Sequence, residues 1–167
     1  MADISNSRLL NTDTGILNKD AFIVLVKAEW NAFITDELEN GCRKVLDANK
    51  IKKIITVSVP GAFEIPFAIK SYWENSGKKK KPDAFIALGC VIRGDTPHFD
   101  YVCGAVTDGV LQLNLNLSVP VIFGILTVDN DEQAKARAGG QYGHKGEEAA
   151  ITALKMIALN NTLKKES

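Results

Sequence analysis

Histidine is scarce in this chain, with only His98 and His144 among 167 residues. The three cysteines, Cys42, Cys90 and Cys103, are odd in number and fall at no zinc or thioredoxin-type spacing. Neither a metal cluster nor a disulfide framework is therefore expected, and the thiols read as free groups in a reducing cytoplasm. No apolar run approaches the ~18 residues that a membrane-spanning helix needs. Charge of one sign is not in excess either: 20 basic residues face 20 acidic ones, for a net charge of +0. That balance argues against nucleic acid or a lipid surface as an electrostatic partner. It leaves room for a local anion site, and its weak self-repulsion permits assembly. The chain has no GxGxxG and no Walker A pattern. Its first residues, MADISNSRLLNTDTG, lack the basic-then-apolar order of a signal peptide, so none is expected.

What is present is enough apolar material for a core: 46% of residues are hydrophobic, too many for a disordered chain. Residues 1–20 are polar and read as a tail, and 21–163 as one domain. The run Lys78–Lys81 before Pro82 reads as a solvated loop. Four apolar segments, 21–26, 54–59, 84–92 and 119–126, have the length and composition of strands buried on both faces. Between them lie helical patterns. Residues 30–47 carry a stripe at Ile34, Leu38, Cys42 and Val45, and 64–75 form a helix with Pro66 in its first turn. A third stripe steps through Val102, Val106, Val110, Leu113 and Leu117. Two more helices follow, over 129–139 and 147–163. Asp129 or Asn130 would cap the first and Gly139 stop it; Ala150, Leu154 and Ile157 form the inner face of the second. Alternating strands and helices predict a three-layer α/β/α sandwich of flavodoxin-like type around a four-stranded parallel sheet.

In such sheets ligands bind beyond the carboxyl ends of the strands, and three unusual segments fall there: AEWN, VPGAFEIP and GCVIRGDTPHF. Gly94, Asp95 and Thr96 precede a helix, where free backbone N–H groups and the helix dipole favour an anion. A plain cap by Thr96 or Asp95 explains them equally well on local grounds, and the Asp95 carboxylate should face away from any phosphate. His98 is placed to move protons near neutral pH, the alternative being a surface histidine. A Cys90–His98 nucleophilic pair is weakened by the apolar setting of Cys90 and the lack of a third orienting group. Glu64 could accept hydroxyl hydrogen bonds beside the reachable backbone of Ala62 and Phe63, although a helix-start glutamate is the simpler account. Trp30 could stack a flat heterocycle or merely rim a core. Arg137 and Lys145 could hold phosphate or be solvated charges. Phe123 reads as core unless its strand edge is open.

Together, VPGAFEIP, ALGCVIRGDTPHFDYV, PVIFGILT, EQAKARAG and HKGEEAA resemble the lumazine synthase family in content, order and separation, over roughly residues 20–160. The resemblance implies condensation of 5-amino-6-(D-ribitylamino)uracil with 3,4-dihydroxy-2-butanone 4-phosphate to 6,7-dimethyl-8-ribityllumazine, with release of phosphate and water, in riboflavin biosynthesis. It implies no metal and no organic cofactor. It gives Trp30 and Asn31, Val91 and Ile92 to the pyrimidine, and Ala62, Phe63 and Glu64 to the ribityl chain. Gly94, Asp95 and Thr96 fall to phosphate and His98 to proton transfer. Phe123, Arg137 and Lys145 would come from a neighbouring subunit. It further implies a cytoplasmic homo-oligomer acting on small molecules: a pentamer, or a sixty-subunit shell of pentamers given the short glycine-containing link RAGGQYGHK, with riboflavin synthase as a further partner. Glu29 departs from the family, which commonly has a basic residue there.

Two other functions fit the same pattern, a non-catalytic lumazine- or flavin-binding module and a cage whose property is assembly. A receiver-type signalling domain would need an aspartate where the third strand instead ends in Cys90-Val91-Ile92.

Overall fold

The computed structural model describes residues 9, 20–77 and 81–166. Four parallel strands, β1 (Phe22–Ala28), β2 (Lys53–Val59), β3 (Ala84–Ile92) and β4 (Val121–Val128), form a sheet in the order β2-β1-β3-β4. The helices are α1 (Ala32–Ala48), α2 (Ile65–Asn75), α3 (His98–Asn116), α4 (Asp131–Arg137) and α5 (Lys145–Leu163). Because side chains alternate across a strand, β1 sends Ile23 and Leu25 into one core with Leu38, Cys42 and Leu154, and Val24 and Val26 into another with Ile65, Ile69 and Val110. The first core lies under α1 and α5 and the second under α2 and α3, which makes a three-layer α/β/α sandwich of flavodoxin-like topology.

Several boundaries differ from the sequence expectation, each for a local reason. Helix α3 begins at His98, a turn before its apolar stripe, because Pro97 supplies a helical φ of −62° and the first turn is solvent-facing. Strand β4 begins at Val121, since Pro120 has no N–H to donate; the Asn114 side chain instead bonds the Val121 backbone on both its N–H and its carbonyl. In α1 the stripe closes with Leu46 buried, and Val45 is only partly covered. Asn130 is the cap of α4, accepting from the Gln133 N–H at 3.0 Å. After Arg137 the chain forms a small antiparallel ladder not expected from sequence, β5 (Ala138–Gly140) with β6 (Gly143–His144). Its turn needs left-handed backbone at Gly139 (φ 105°) and Gly143 (φ 85°), which glycine adopts without steric cost. All of the expected tail, 1–20, except residues 9 and 20, and most of the Lys78–Lys81 run lie outside the described residues; Lys81 sits over the Trp73 ring, 3.7 Å from its centroid.

The α1–α5 crossing is close. A Cβ on Gly146 would lie 2.0 Å from the Leu38 carbonyl oxygen, and the Cys42 thiol donates to the Gly146 carbonyl at 3.0 Å. On the other side of α1, Glu39 ties three elements together. Its carboxylate meets Lys27 of β1 at 2.8 Å, Arg43 at 2.8 Å and the Thr56 hydroxyl of β2 at 2.7 Å. Burial alone would raise the Glu39 carboxyl, but the hydrogen bonds from Lys27, Thr56 and Arg43 outweigh it and hold the group down at about 2.

A carboxyl lower in the folded than in the unfolded chain adds stability that is complete above its ordinary value of 4.5 and is lost as pH falls toward 2. Urea midpoints measured across that window should fall steeply for the native chain. In Glu39→Gln they should be lower at neutral pH and flatter across the same window; parallel curves would count against this role.

Candidate active site

Parallel register places the ends of the four strands on one edge, and short bonds fix the turns that leave them. The Glu29 and Trp30 N–H groups donate to the carbonyls of Val59 and Pro60, at 2.8 and 3.2 Å. Asn31 is left-handed (φ 57°, ψ 46°), a conformation asparagine tolerates better than most residues. Its amide nitrogen donates to the Cys90 carbonyl at 2.9 Å, so the end of β1 is tied to the end of β3. At the end of β3, the Arg93 N–H reaches the Val128 carbonyl of β4 at 2.9 Å.

These ties frame an open cleft of about 620 Å³, within the usual range for small-molecule sites. One wall carries Trp30 and Asn31. A second is the turn Gly61–Glu64, which coils through a short 3₁₀ segment into α2. A Cβ on Gly61 would stand 3.0 Å from a Glu64 carboxylate oxygen and 3.5 Å from the Trp30 ring, so glycine lets these two side chains approach each other. The floor is the end of β3, and the far wall is the β3–α3 turn with His98. Trp30 and Phe63 present apolar rings to water, 73% and 60% exposed.

Ten of the residues singled out in the sequence line this single cleft: Trp30, Asn31, Ala62, Phe63, Glu64, Val91, Ile92, Gly94, Thr96 and His98. Asp95 is exposed and not part of the lining. Phe123 is half-buried in β4 beside the α2–α3 core. Arg137 and Lys145 also stand apart from the cleft of their own chain. Arg137 is buried, donating to the Tyr142 carbonyl and to Glu148 at 3.3 Å, and Lys145 faces the same Glu148 oxygen at 3.5 Å. A solvated charge therefore does not describe Arg137. Phe99 and Val102 complete the far wall and were not singled out as site residues; once α3 is known to start at His98, their i,i+3 spacing puts them on one face.

The turn itself has two notable properties. No side chain caps α3, so neither Thr96 nor Asp95 takes up its first-turn N–H groups. Gly94 has no left-handed φ, and a Cβ there would meet nothing within 4 Å. The thiol of Cys90 is pushed up to about 12, by burial first and by the Asp131 carboxylate second. At neutral pH it carries almost no thiolate, which removes it as a nucleophile.

A cleft of this size at the carboxyl edge of a β2-β1-β3-β4 sheet sets the class: an α/β protein with a small-molecule-sized site where such sheets hold their ligands. The family is narrower, since residues 20–161 match the model for 6,7-dimethyl-8-ribityllumazine synthase, and the chain belongs to that family. It is 50% identical over 137 residues to the 6,7-dimethyl-8-ribityllumazine synthase of Parabacteroides distasonis, covering 81% of this chain and 83% of that protein. With the enzyme of the same name from Cytophaga hutchinsonii it shares 52% over 136 residues, 80% of this chain and 83% of the other. For that of Bdellovibrio bacteriovorus the figures are 48% over 139 residues, 83% and 75%.

Brief treatment of the folded protein with iodoacetamide at pH 7 should leave Cys90 unmodified in a peptide mass map, although it borders the open cleft. Rapid, stoichiometric labelling there would restore the thiol as a candidate nucleophile.

Proposed function

We infer that this chain condenses 5-amino-6-(D-ribitylamino)uracil with 3,4-dihydroxy-2-butanone 4-phosphate, releasing phosphate and water, to form 6,7-dimethyl-8-ribityllumazine in riboflavin biosynthesis. It is a transferase. The observation that carries the site assignment is Gly94. The chain's own packing and backbone do not require glycine there, and the missing side chain leaves room for a phosphate to lie against the backbone N–H groups of 94–96. The uncapped first turn of α3 leaves donors for that anion.

In this assignment the pyrimidine stacks on Trp30 and meets the edge formed by Val91 and Ile92, and Asn31 holds the Trp30 turn against β3. The ribityl hydroxyls donate to Glu64 and approach the backbone of Ala62 and Phe63. The ring amine attacks the ketone carbonyl, water leaves to give an imine, phosphate is eliminated, and the second nitrogen closes the ring with loss of another water. Each step moves a proton. His98, facing the cleft beside the phosphate turn, is the group that moves it. Holding two reactants in reacting geometry supplies up to about 7–11 kcal/mol in well-oriented systems, so positioning is a large part of the catalysis.

The assembly is a pentamer, and the preferred state a sixty-subunit shell. Two features support shared sites. Phe123, Arg137 and Lys145 do not reach the cleft of their own chain, and α2 and α3 expose Phe67, Tyr101 and Leu115, each more than 70% accessible. The short ladder between Arg137 and Lys145 keeps that link compact, as the resemblance associates with shells. The working location is the cytoplasm, consistent with three free cysteines and with the absence, among described residues, of a helix long and apolar enough to cross a membrane.

The two substrates mixed with purified protein should develop lumazine absorbance, and His98→Ala should slow turnover by about 10²–10⁴-fold with affinity little changed. An unaltered maximal rate would remove His98 from the mechanism. Light scattering should report a closed particle of ~60 copies of the 18.2 kDa chain. Co-assembling His98→Ala with Arg137→Ala subunits should restore part of the activity that each lacks alone. No restoration would place both groups in one subunit's site, and a uniform pentamer would overturn the shell alone.

A further inference from the structure

Arg93 sits in the middle of the GCVIRGDTPHFDYV turn, and nothing above gives its side chain a task. It points away from the substrate groups: Arg93 does not line the cleft, although Ile92 before it and Gly94 after it do. Its guanidinium is held on three sides. Nη2 and Nη1 meet the two carboxylate oxygens of Asp100 at 3.1 and 3.4 Å, a paired contact to the first turn of α3. Nε donates to Asp129 at 3.1 Å, in the turn that leaves β4 for α4. The flat face lies 4.0 Å above the centre of the Phe99 ring, and Phe99 is part of the cleft wall.

We propose that Arg93 is a positioning residue, which braces the β3–α3 turn against the β4–α4 turn through Asp100 and Asp129 and thereby fixes the phosphate-binding backbone and His98. All three charged side chains are partly solvated, and exposed ion pairs contribute little to global stability. What such a bracket can supply is geometry. Asp100 is two residues beyond His98 and four beyond Thr96, so holding it sets the direction in which α3 enters the cleft. Among the described residues, the other hydrogen bond between these two turns is the backbone bond from Arg93 to Val128, and a single bond cannot fix the rotation of the helix. A planar guanidinium can, because one rigid fork meets two carboxylates and a ring together; a lysine ammonium lacks the second direction. The bracket also occupies the guanidinium, so Arg93 itself is not the anion ligand.

This inference rests on the assignment of the 94–98 turn to phosphate and proton transfer, and its test separates the two. Steady-state kinetics with both substrates, thermal melting, and calorimetric titration with inorganic phosphate would be run on the assembled native protein and on Arg93→Ala, Arg93→Lys and Asp129→Ala. Arg93→Ala should melt near the native temperature. It should lose about 10–100-fold in kcat/KM for the phosphorylated ketone, as for a small misplacement of reacting groups, and weaken phosphate binding, while KM for the pyrimidine stays within about twofold of native because Trp30 and Glu64 are untouched. Arg93→Lys should recover only part of the loss. Asp129→Ala should move in the same direction, and combined with Arg93→Ala should add nothing further, as expected for partners in one contact. Tighter phosphate binding in Asp129→Ala would show Arg93 to be an anion ligand released from its partner, and would overturn the brace. Unchanged constants in Arg93→Ala, or equal losses toward both substrates, would overturn it as well. A native protein that makes no lumazine would instead refute the assigned reaction, and the phosphate titration would still report on the brace.

Discussion

The register of β1 between β2 and β3 is the constraint on which the site depends. Ala28 stands opposite Val59, and Lys27 opposite both Ser58 and Leu88, so the three turns that follow these strands leave the sheet on one edge. Shifting β1 by a single residue would exchange Ile23 and Leu25 for Val24 and Val26 between the two cores. It would also withdraw Asn31 from the Cys90 carbonyl. Fully buried apolar side chains on both faces oppose that slip, and truncating a buried leucine or isoleucine costs about 2–5 kcal/mol. The aim of a few polar groups in the cleft is therefore set by apolar packing well below it.

The cleft leaves much of its binding surface open. Trp30 and Phe63 face water, and the three candidate groups on β4, α4 and α5 are turned elsewhere within the same chain. An open site of this kind is poor at excluding solvent, and charge interactions in it are weakened by the surrounding dielectric. A second copy laid across the rim would correct both deficiencies. Within its own chain Arg137 is held in a buried position by Glu148 and the Tyr142 carbonyl, so its guanidinium has little freedom to swing.

The strands of the main sheet were legible as unbroken apolar runs and the longer helices as apolar stripes, while the short α4 was marked by its cap and its stop. Cys42 and Leu38 repeat at helical spacing, and 84–92 is an unbroken apolar run. Cleft membership was legible for a different reason, since parallel strands force their following turns together whatever the turns contain. What the sequence concealed were short-range features without periodicity. The β5–β6 ladder has strands of three and two residues and depends on two left-handed glycines. The first turn of α3 faces largely outward and lies before the buried stripe begins, which hid Phe99. The bracket around Arg93 joins positions 7 and 36 residues away, and no local pattern announces such pairings. Burial of Arg137 was equally hidden, because its partner Glu148 lies on a different helix.

The close crossing of α1 and α5 bears on the order in which the molecule can be built. Cys42 meets Gly146 across 104 residues, and α1 emerges from the ribosome long before α5. Until the last segment has been made, Leu38, Cys42 and Leu46 have only the sheet to cover them and not the helix that completes their core. The other face, with α2 and α3, draws on residues that are all synthesised by the end of β4. Such long-range closure slows folding, since loop entropy is lost before the contact rewards it. A nascent chain would thus carry one finished face and one sticky face, and a chain truncated before α5 would keep the second exposed to aggregation.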